Sequence, residues 1–255
     1  MDGIELKKEE TAFYFNQAEL NISGLDEILD GGFISGSNVL LAGSAGTGKT
    51  IFCMQFLYKG AVDYDEPGIF VTLEEMPNEL RRESLLFGWD FKQLEDDKKF
   101  AIVDAASSKA GLPTGEKFAL RRGFDVNILA QEIYRTAKEI EAKRIVIDSI
   151  AGLGIQFEGT ANIRTAIFRL SALLREIKCT SIMTSEVAVG EVFTRYGVEE
   201  FIAQGVVLLY LEEISGELRR SMIVRKMRGT RHSLRRYPFE ISNEKGFIVM
   251  PGGEI

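Results

Sequence analysis

The sequence predicts an α/β fold with a mainly parallel central sheet flanked by helices and with antiparallel strands toward the C-terminal end. Three observations lead there. Short apolar runs rich in β-branched residues recur along the chain, and they are continuous rather than alternating, as strands buried on both faces are. Helical patterns separate these runs through the first two-thirds of the chain. From Gly205 onward the runs follow one another closely, which points to antiparallel strands.

The expected strands are Ser37–Gly43, Gly68–Leu73, Phe100–Asp104, Arg144–Ser149, Thr180–Ser185, Gly205–Leu211 and Ser221–Arg225. Lys49–Tyr64 reads as a helix. Val126–Ile140 carries an apolar stripe of Val126, Leu129, Ile133, Ala137 and Ile140 behind Asp125, a candidate cap. After Asn162, the residues Ile163, Ile167, Leu170, Leu174 and Ile177 alternate spacings of four and three, as a core-facing helix does. Ala105–Gly123 reads as a long connection of little periodicity carrying Lys109, Lys117, Arg121 and Arg122. Connections of that length are usually functional or mobile. With only five prolines, no linker-like stretch and no repeat, residues 20–255 are expected to form one domain behind an extension of residues 1–19.

Composition narrows the class. A chain of 255 residues that is 45% hydrophobic and 27% charged is neither disordered nor fibrous. Its two cysteines, Cys53 and Cys179, are far apart and form no framework, which suggests a reducing compartment. No window has the length and apolarity of a membrane span, and the first residues lack a signal-peptide core, so a cytoplasmic protein is expected. The net charge of -7 argues against a surface that embraces nucleic acid as a whole.

The chemistry starts at Gly43-Ser44-Ala45-Gly46-Thr47-Gly48-Lys49-Thr50, a G-x-x-x-x-G-K-[ST] loop lying between an expected strand and an expected helix. Glycines let backbone N–H groups and the helix N-terminus converge on phosphate oxygens, and the Lys49 ammonium neutralises the terminal phosphates. Thr50 is then the expected Mg²⁺ ligand. Such a site needs a carboxylate at a neighbouring strand end to hold the metal's water shell, and Asp148, after Arg144-Ile145-Val146-Ile147, fits that place.

Glu74 and Glu75 follow the expected strand Gly68–Leu73. They could orient and deprotonate a water in line with the γ-phosphate, or they could simply favour the start of a helix at Pro77. The residues alone leave both open. Ser185 and Glu186 end another strand, either to sense the γ-phosphate or to cap the strand. Between Arg219 and Arg236 lie eight Arg or Lys residues and no acidic one. Three readings compete for this strip: a solvated face, a nucleic-acid surface, or cations inserted into a neighbouring subunit's nucleotide site. His232 is the single histidine, which excludes a multi-histidine metal site.

Taken together, the chain resembles the KaiC-like branch of the RecA superfamily of ATPases from about Leu20 to Pro251. The resemblance rests on Ser23-Gly24-Leu25-Asp26-Glu27-Ile28-Leu29 with Gly31-Gly32, the phosphate loop, Phe70–Glu75, the strand ending at Asp148, Thr184-Ser185-Glu186, Arg195–Phe201, and Lys226-Met227-Arg228-Gly229-Thr230-Arg231-His232. It implies a RecA-like P-loop NTPase fold, ATP or ADP with Mg²⁺ at the site, and Glu74 and Glu75 as a catalytic pair with Glu75 the favoured base. It also implies a ring, hexameric in the family, in which Lys226, Arg228 and His232 reach the nucleotide of the adjacent subunit. One departure stands out. The positions equivalent to the phosphorylated Ser-Thr pair of the two-module clock protein are Glu200 and Phe201, which argues against self-kinase activity, although Thr194 and Ser215 lie nearby. Two other functions fit the residues: a recombinase-related ATPase that binds single-stranded DNA through a pore, and an ATP-binding switch that shows its state to a protein partner without useful turnover.

Overall fold

All seven expected strands join one ten-stranded sheet in the computed structural model, which describes residues 16–121, 123–155, 160–187 and 194–253. In chain order the strands are β1 (Gln17–Ala18), β2 (Phe33–Ile34), β3 (Asn38–Gly43), β4 (Gly68–Thr72), β5 (Phe100–Asp104), β6 (Phe118–Ala119), β7 (Arg144–Asp148), β8 (Thr180–Glu186), β9 (Gly205–Ile214), β10 (Glu217–Met227), β11 (Arg236–Ser242) and β12 (Gly246–Val249). The sheet order is β12-β11-β10-β9-β3-β8-β7-β4-β5-β6, while β1 and β2 form a separate antiparallel pair. From β9 to β6 every pairing is parallel, and from β9 to β12 every pairing is antiparallel.

The continuous apolar runs face two cores. Phe70, Val146, Ile182 and Val207 join one with Phe52, Phe56 and Leu57 of the helix Lys49–Asp63, whereas Ile69, Ile147, Met183 and Leu208 join the other with Leu129, Ile133, Ile167 and Leu170. Successive strand residues point to opposite faces, so a strand covered on both sides has no polar position to alternate. The helices Val126–Glu139 and Thr160–Glu176 cover the second face. Asp125 caps the first of these as expected, its Oδ1 accepting from the N–H groups of Asn127 and Ile128 at 2.7 and 3.1 Å.

Charge inside the sheet is neutralised locally. Arg144 is fully buried at the start of β7. It pairs with Glu66 at 2.6 Å, donates to the carbonyls of Phe56 and Glu19, and lies over the Phe56 ring. Gln55 does for the antiparallel end what Arg144 does here. Its Oε1 accepts from Phe247 N at 2.6 Å, which ties the helix Lys49–Asp63 to β12.

Three features depart from the sequence reading. The Ala105–Gly123 connection is partly regular, with a short helix Ala106–Ala110 and the edge strand β6, and Phe118 and Leu120 are buried. The strands β9 and β10 run longer than expected because Ser215 and Gly216, both at positive φ, close a two-residue hairpin between them. β11 and β12 were not expected; Pro238 and the charges of Arg236 and Glu240 hide β11, which pairs on both sides all the same. Of the expected extension, residues 1–15 lie outside the described residues, and Ala18 is buried. Arg122 also lies outside them.

Candidate nucleotide site

Register brings the chemistry to one edge of the sheet. Gly43 pairs with Glu186 and Leu209, and Thr72 pairs with Asp148, so the carboxyl ends of β3, β4, β7 and β8 meet beside the loop Ser44–Gly48. Gly46 and Gly48 hold φ of 79° and 94° there. At φ 94° a side chain on Gly48 would be strained, and its Cβ would also come 2.4 Å from Ile241 Cδ1. Gly48 is also the N-cap of the helix Lys49–Asp63 and offers no side-chain oxygen, which leaves first-turn N–H groups directed at the loop. Thr47 is buried and bonds Ser44 O, while Ala45 and Gly46 are exposed at the rim. The Lys49 ammonium, nearly buried, donates to the carbonyls of Gly43 and Ser44 at 2.9 and 3.0 Å.

Thr50 Oγ1 donates to Asp148 Oδ2 at 2.8 Å, and Thr184 donates to the other carboxylate oxygen. Burial pushes the Asp148 pKa up, opposed by these two hydroxyls and by Lys49. The peptide bond Asp148–Ser149 is cis. Ser149 Oγ donates to Glu74 Oε2 at 3.0 Å; burial raises the Glu74 pKa and this bond lowers it. Glu75 is perturbed further. Burial, then the charges of Asp148, Glu83, Glu79 and Glu74, raise its pKa to about 7, and its buried Oε2 has no hydrogen-bond partner.

The helix-start alternative for these two residues is taken by others. The helix Pro77–Leu85 begins after them, and Glu79 accepts from Met76 N at its first turn. Glu74 and Glu75 instead line a cavity of about 320 Å³ together with Gly46, Gly48, Lys49, Thr50, Asp148, Glu186 and Arg220. Ser185 turns away from this cavity to Glu199, at 3.2 Å, and only Glu186 of that pair lines it.

Arg220 is the residue that sequence reasoning missed. It sits on β10 opposite Leu211, and its Nη2 donates to Gly46 O at 3.3 Å. With Lys49 it supplies the two cations of the cavity lining, against the five carboxylates of Glu74, Glu75, Glu83, Asp148 and Glu186.

The basic strip is divided rather than continuous. Arg220 near its start reaches the phosphate loop, but Met227 pairs with Gly205, which pairs with Val39 at the other end of β3. Arg228, whose N–H donates to Gln204 O, therefore lies more than roughly 13 Å along the strands from Gly43 of its own chain, four residues at about 3.3 Å each, and Lys226, which pairs through Val206 with Leu40, lies roughly 10 Å away. Lys226 donates to the carbonyls of Glu200 and Ala203 at 2.9 and 2.6 Å, and burial lowers its pKa. Arg228 is exposed, and both ring nitrogens of His232 are buried without a hydrogen-bond partner.

A mainly parallel sheet with a glycine-rich phosphate loop, a strand-end aspartate and facing glutamates defines a P-loop nucleotide-binding protein of the RecA-like type. The chain belongs to the KaiC ATPase family: the family model described as "ATPase: KaiC" matches residues 18–254. It is similar to a UPF0273 protein of Methanocaldococcus jannaschii, 46% identical over 237 residues, covering 92% of this chain and 96% of that protein. A UPF0273 protein of Thermotoga maritima is 45% identical over 242 residues, with 93% and 98% covered. The circadian clock oscillator protein KaiC of Synechococcus elongatus is 38% identical over 234 residues, which are 91% of this chain and 44% of that longer protein. Among solved structures, a KaiC-like protein of Pyrococcus horikoshii superposes with a TM-score of 0.81 at 44% identity, covering 93% of this chain and all of the other.

Proposed function

We propose that this chain binds ATP with Mg²⁺ and hydrolyses it slowly within a homo-oligomeric ring, a hexamer in the family it resembles, and that its role is regulatory. The division of its cations carries the reading. The cavity beside the phosphate loop is rich in carboxylates and poor in positive charge, while Lys226 and Arg228 stand toward the other end of the sheet, where the exposed Arg228 is open to another copy.

The residues fit both ligands. Gly46 and Gly48 leave a cradle for phosphate, and Thr50 and Asp148 offer hard oxygen donors side by side. Thr50 would hold Mg²⁺ and Asp148 its water, and the metal would supply charge neutralisation on the phosphates. Lys49 exchanges its loop carbonyls for phosphate oxygens. Glu75 takes the proton of the attacking water as the new P–O bond forms and the bond to ADP breaks, a role for which a carboxyl poised near neutrality is suited. Glu74, held by Ser149, orients that water. Arg228 and Lys226 of the adjacent subunit stabilise the charge on the transferred phosphoryl group.

The DNA-binding alternative is weakened at the three described cations of its loop. In the Ala105–Gly123 connection Lys109 turns inward to Leu73 O, Lys117 pairs with Glu139, and Arg121 bonds Glu116 O. Self-phosphorylation lacks a ready acceptor in Thr194, which is buried against Glu200. No helix of the described residues is long and apolar enough to cross a membrane.

The deciding experiment follows phosphate release from γ-labelled ATP by wild type, Lys49→Ala, Glu75→Ala, Arg228→Ala and a mixture of the last two. Each variant alone is expected to be inactive. The mixture regains turnover, because some interfaces pair an intact Glu75 with an intact Arg228. Absence of rescue overturns the ring reading, and absence of wild-type turnover with retained ATP binding turns the protein into a nucleotide-dependent switch for a protein partner.

A further inference from the structure

Lys109 is a half-buried lysine outside the family motifs, and its ammonium is turned onto the backbone of a neighbouring segment. It lies on the short helix Ala106–Ala110 and donates to Leu73 O at 2.7 Å, immediately before Glu74. The other side of Leu73 is also fixed, since its N–H donates to Asp148 O at 2.8 Å. The carbonyls of Thr72 and Glu75 are likewise taken, by Ala105 N at 3.1 Å and by Thr72 Oγ1 at 2.5 Å. Ser107 of the same short helix bonds Met76 Sδ. The segment that carries the two glutamates is thus gripped from one side by Ala105–Lys109 and from the other by the end of β7.

The seat of the ammonium is built for it. A Cβ on Gly152 would lie 2.8 Å from Lys109 Nζ and 3.0 Å from Leu73 Cβ, so a glycine in the turn after Asp148 leaves the space that the lysine enters. Nζ also lies 5.9 Å from the centre of the Phe124 ring, and the charge of Glu74 acts on it. Burial lowers the Lys109 pKa, and the charge of Glu74 opposes part of that shift, while a carbonyl and a ring face also attend the ammonium. A lysine held only for solubility would extend into water.

We propose that Lys109 is a positioning residue for the Glu74–Glu75 segment, fixing the Leu73 carbonyl so that both carboxylates face the phosphate loop. This rests on the hydrolysis reading above. It gives the Ala105–Gly123 connection a route to the reaction, because any change that withdraws the short helix withdraws Lys109 from Leu73.

The test compares wild type, Lys49→Ala, Lys109→Met and Lys109→Cys before and after alkylation with 2-bromoethylamine, which restores an ammonium at nearly the original reach. Lys109→Met is expected to keep its ATP affinity within about 2-fold while kcat falls about 10-fold, the pattern of a misplaced catalytic group. Alkylation of Lys109→Cys recovers most of the loss. Amide exchange at Leu73 and Ala105, whose N–H groups donate to Asp148 O and Thr72 O, accelerates in Lys109→Met, while exchange in the helix Lys49–Asp63 is unchanged. An active wild type with unaltered kcat in Lys109→Met overturns the inference. So does a fall that ammonium restoration leaves in place, which marks a packing defect. If wild type releases no phosphate, the hydrolysis reading fails, and amide exchange alone decides the positioning: unchanged protection at Leu73 and Ala105 overturns it.

Discussion

Thr50 Oγ1 and Asp148 Oδ2, separated by 98 positions in sequence, are joined by a 2.8 Å hydrogen bond across the phosphate loop. The bond uses the hydroxyl hydrogen and leaves the oxygen lone pairs that Mg²⁺ would need, and it holds the carboxylate that would carry the metal's water. Binding of the metal would therefore use a pair already held in place instead of creating a site from free groups. Asp148→Asn should leave ATP binding without Mg²⁺ within about 3-fold and remove most of the tightening that Mg²⁺ brings, with turnover down by about 100-fold. Titration of a fluorescent ATP analogue with and without Mg²⁺ checks this. Equal tightening in wild type and variant would show that Asp148 has no part in holding the metal.

The shift at Glu75 has a consequence for stability in the protein without nucleotide. Its carboxyl has a folded-state pKa of about 7 against an ordinary value of 4.5, so between these values the native state binds more proton than the unfolded chain. Stability from this group is full below pH 4.5 and is lost as pH rises through 7. Glu74 and Asp148 are shifted in the same sense, so the wild-type profile alone does not isolate Glu75. Glu75→Gln does. Urea unfolding at intervals from pH 4.5 to 7.5 should find the variant gaining on wild type as pH rises, and a constant difference would reject the assignment.

What the sequence disclosed depended on whether the signal was local. The phosphate loop is eight consecutive residues, and Asp148 closes a continuous apolar strand, so both were legible together with the interior parallel strands. Arg220 was not. Its approach to Gly46 depends on the Ser215-Gly216 hairpin, which sets Arg220 opposite Leu211, and on the pairing of β9 with β3. The same strand disperses what looked like one basic strip, since Arg220 and Lys226 are six residues and roughly 20 Å apart on β10. For Ser185 the sequence leaves γ-phosphate sensing and strand capping open; strand residues alternate in direction, and it is Thr184 that reaches Asp148 while Ser185 turns to Glu199. β11 was hidden by Pro238, whose ring tolerates the strand because its carbonyl can still accept from Met250 N.

Arg220 offers a test of electrostatics within one subunit. It is one of two cations in a cavity lined by five carboxylates, and its Nε is buried without a partner. Arg220→Gln keeps a donor near Gly46 O and removes the charge. If the charge matters, both Arg220→Gln and Arg220→Ala should weaken ATP binding by about 5-fold, with ADP affected less because it carries less charge. Calorimetric titration of both nucleotides distinguishes the cases. Loss in Arg220→Ala alone would mean that Arg220 only props the loop.

Lys226 and Arg228 are two residues apart, yet their bonds within the chain differ, and this decides which of them can report on a neighbour. Lys226 spends two donors on the carbonyls of Glu200 and Ala203, closing the end of the short helix Glu199–Ile202. Its replacement by Met leaves those carbonyls without a partner, at a cost of about 1–2 kcal/mol. The Arg228 side chain is exposed, so Arg228→Ala should change subunit stability by less than about 0.5 kcal/mol. Denaturant melts at a dilution that favours single subunits should therefore separate the two, with Lys226→Met shifted and Arg228→Ala superimposed on wild type. Under assembling conditions with ATP both should lose turnover. If Arg228→Ala instead unfolds earlier than Lys226→Met, its effect on turnover carries no information about the neighbouring subunit.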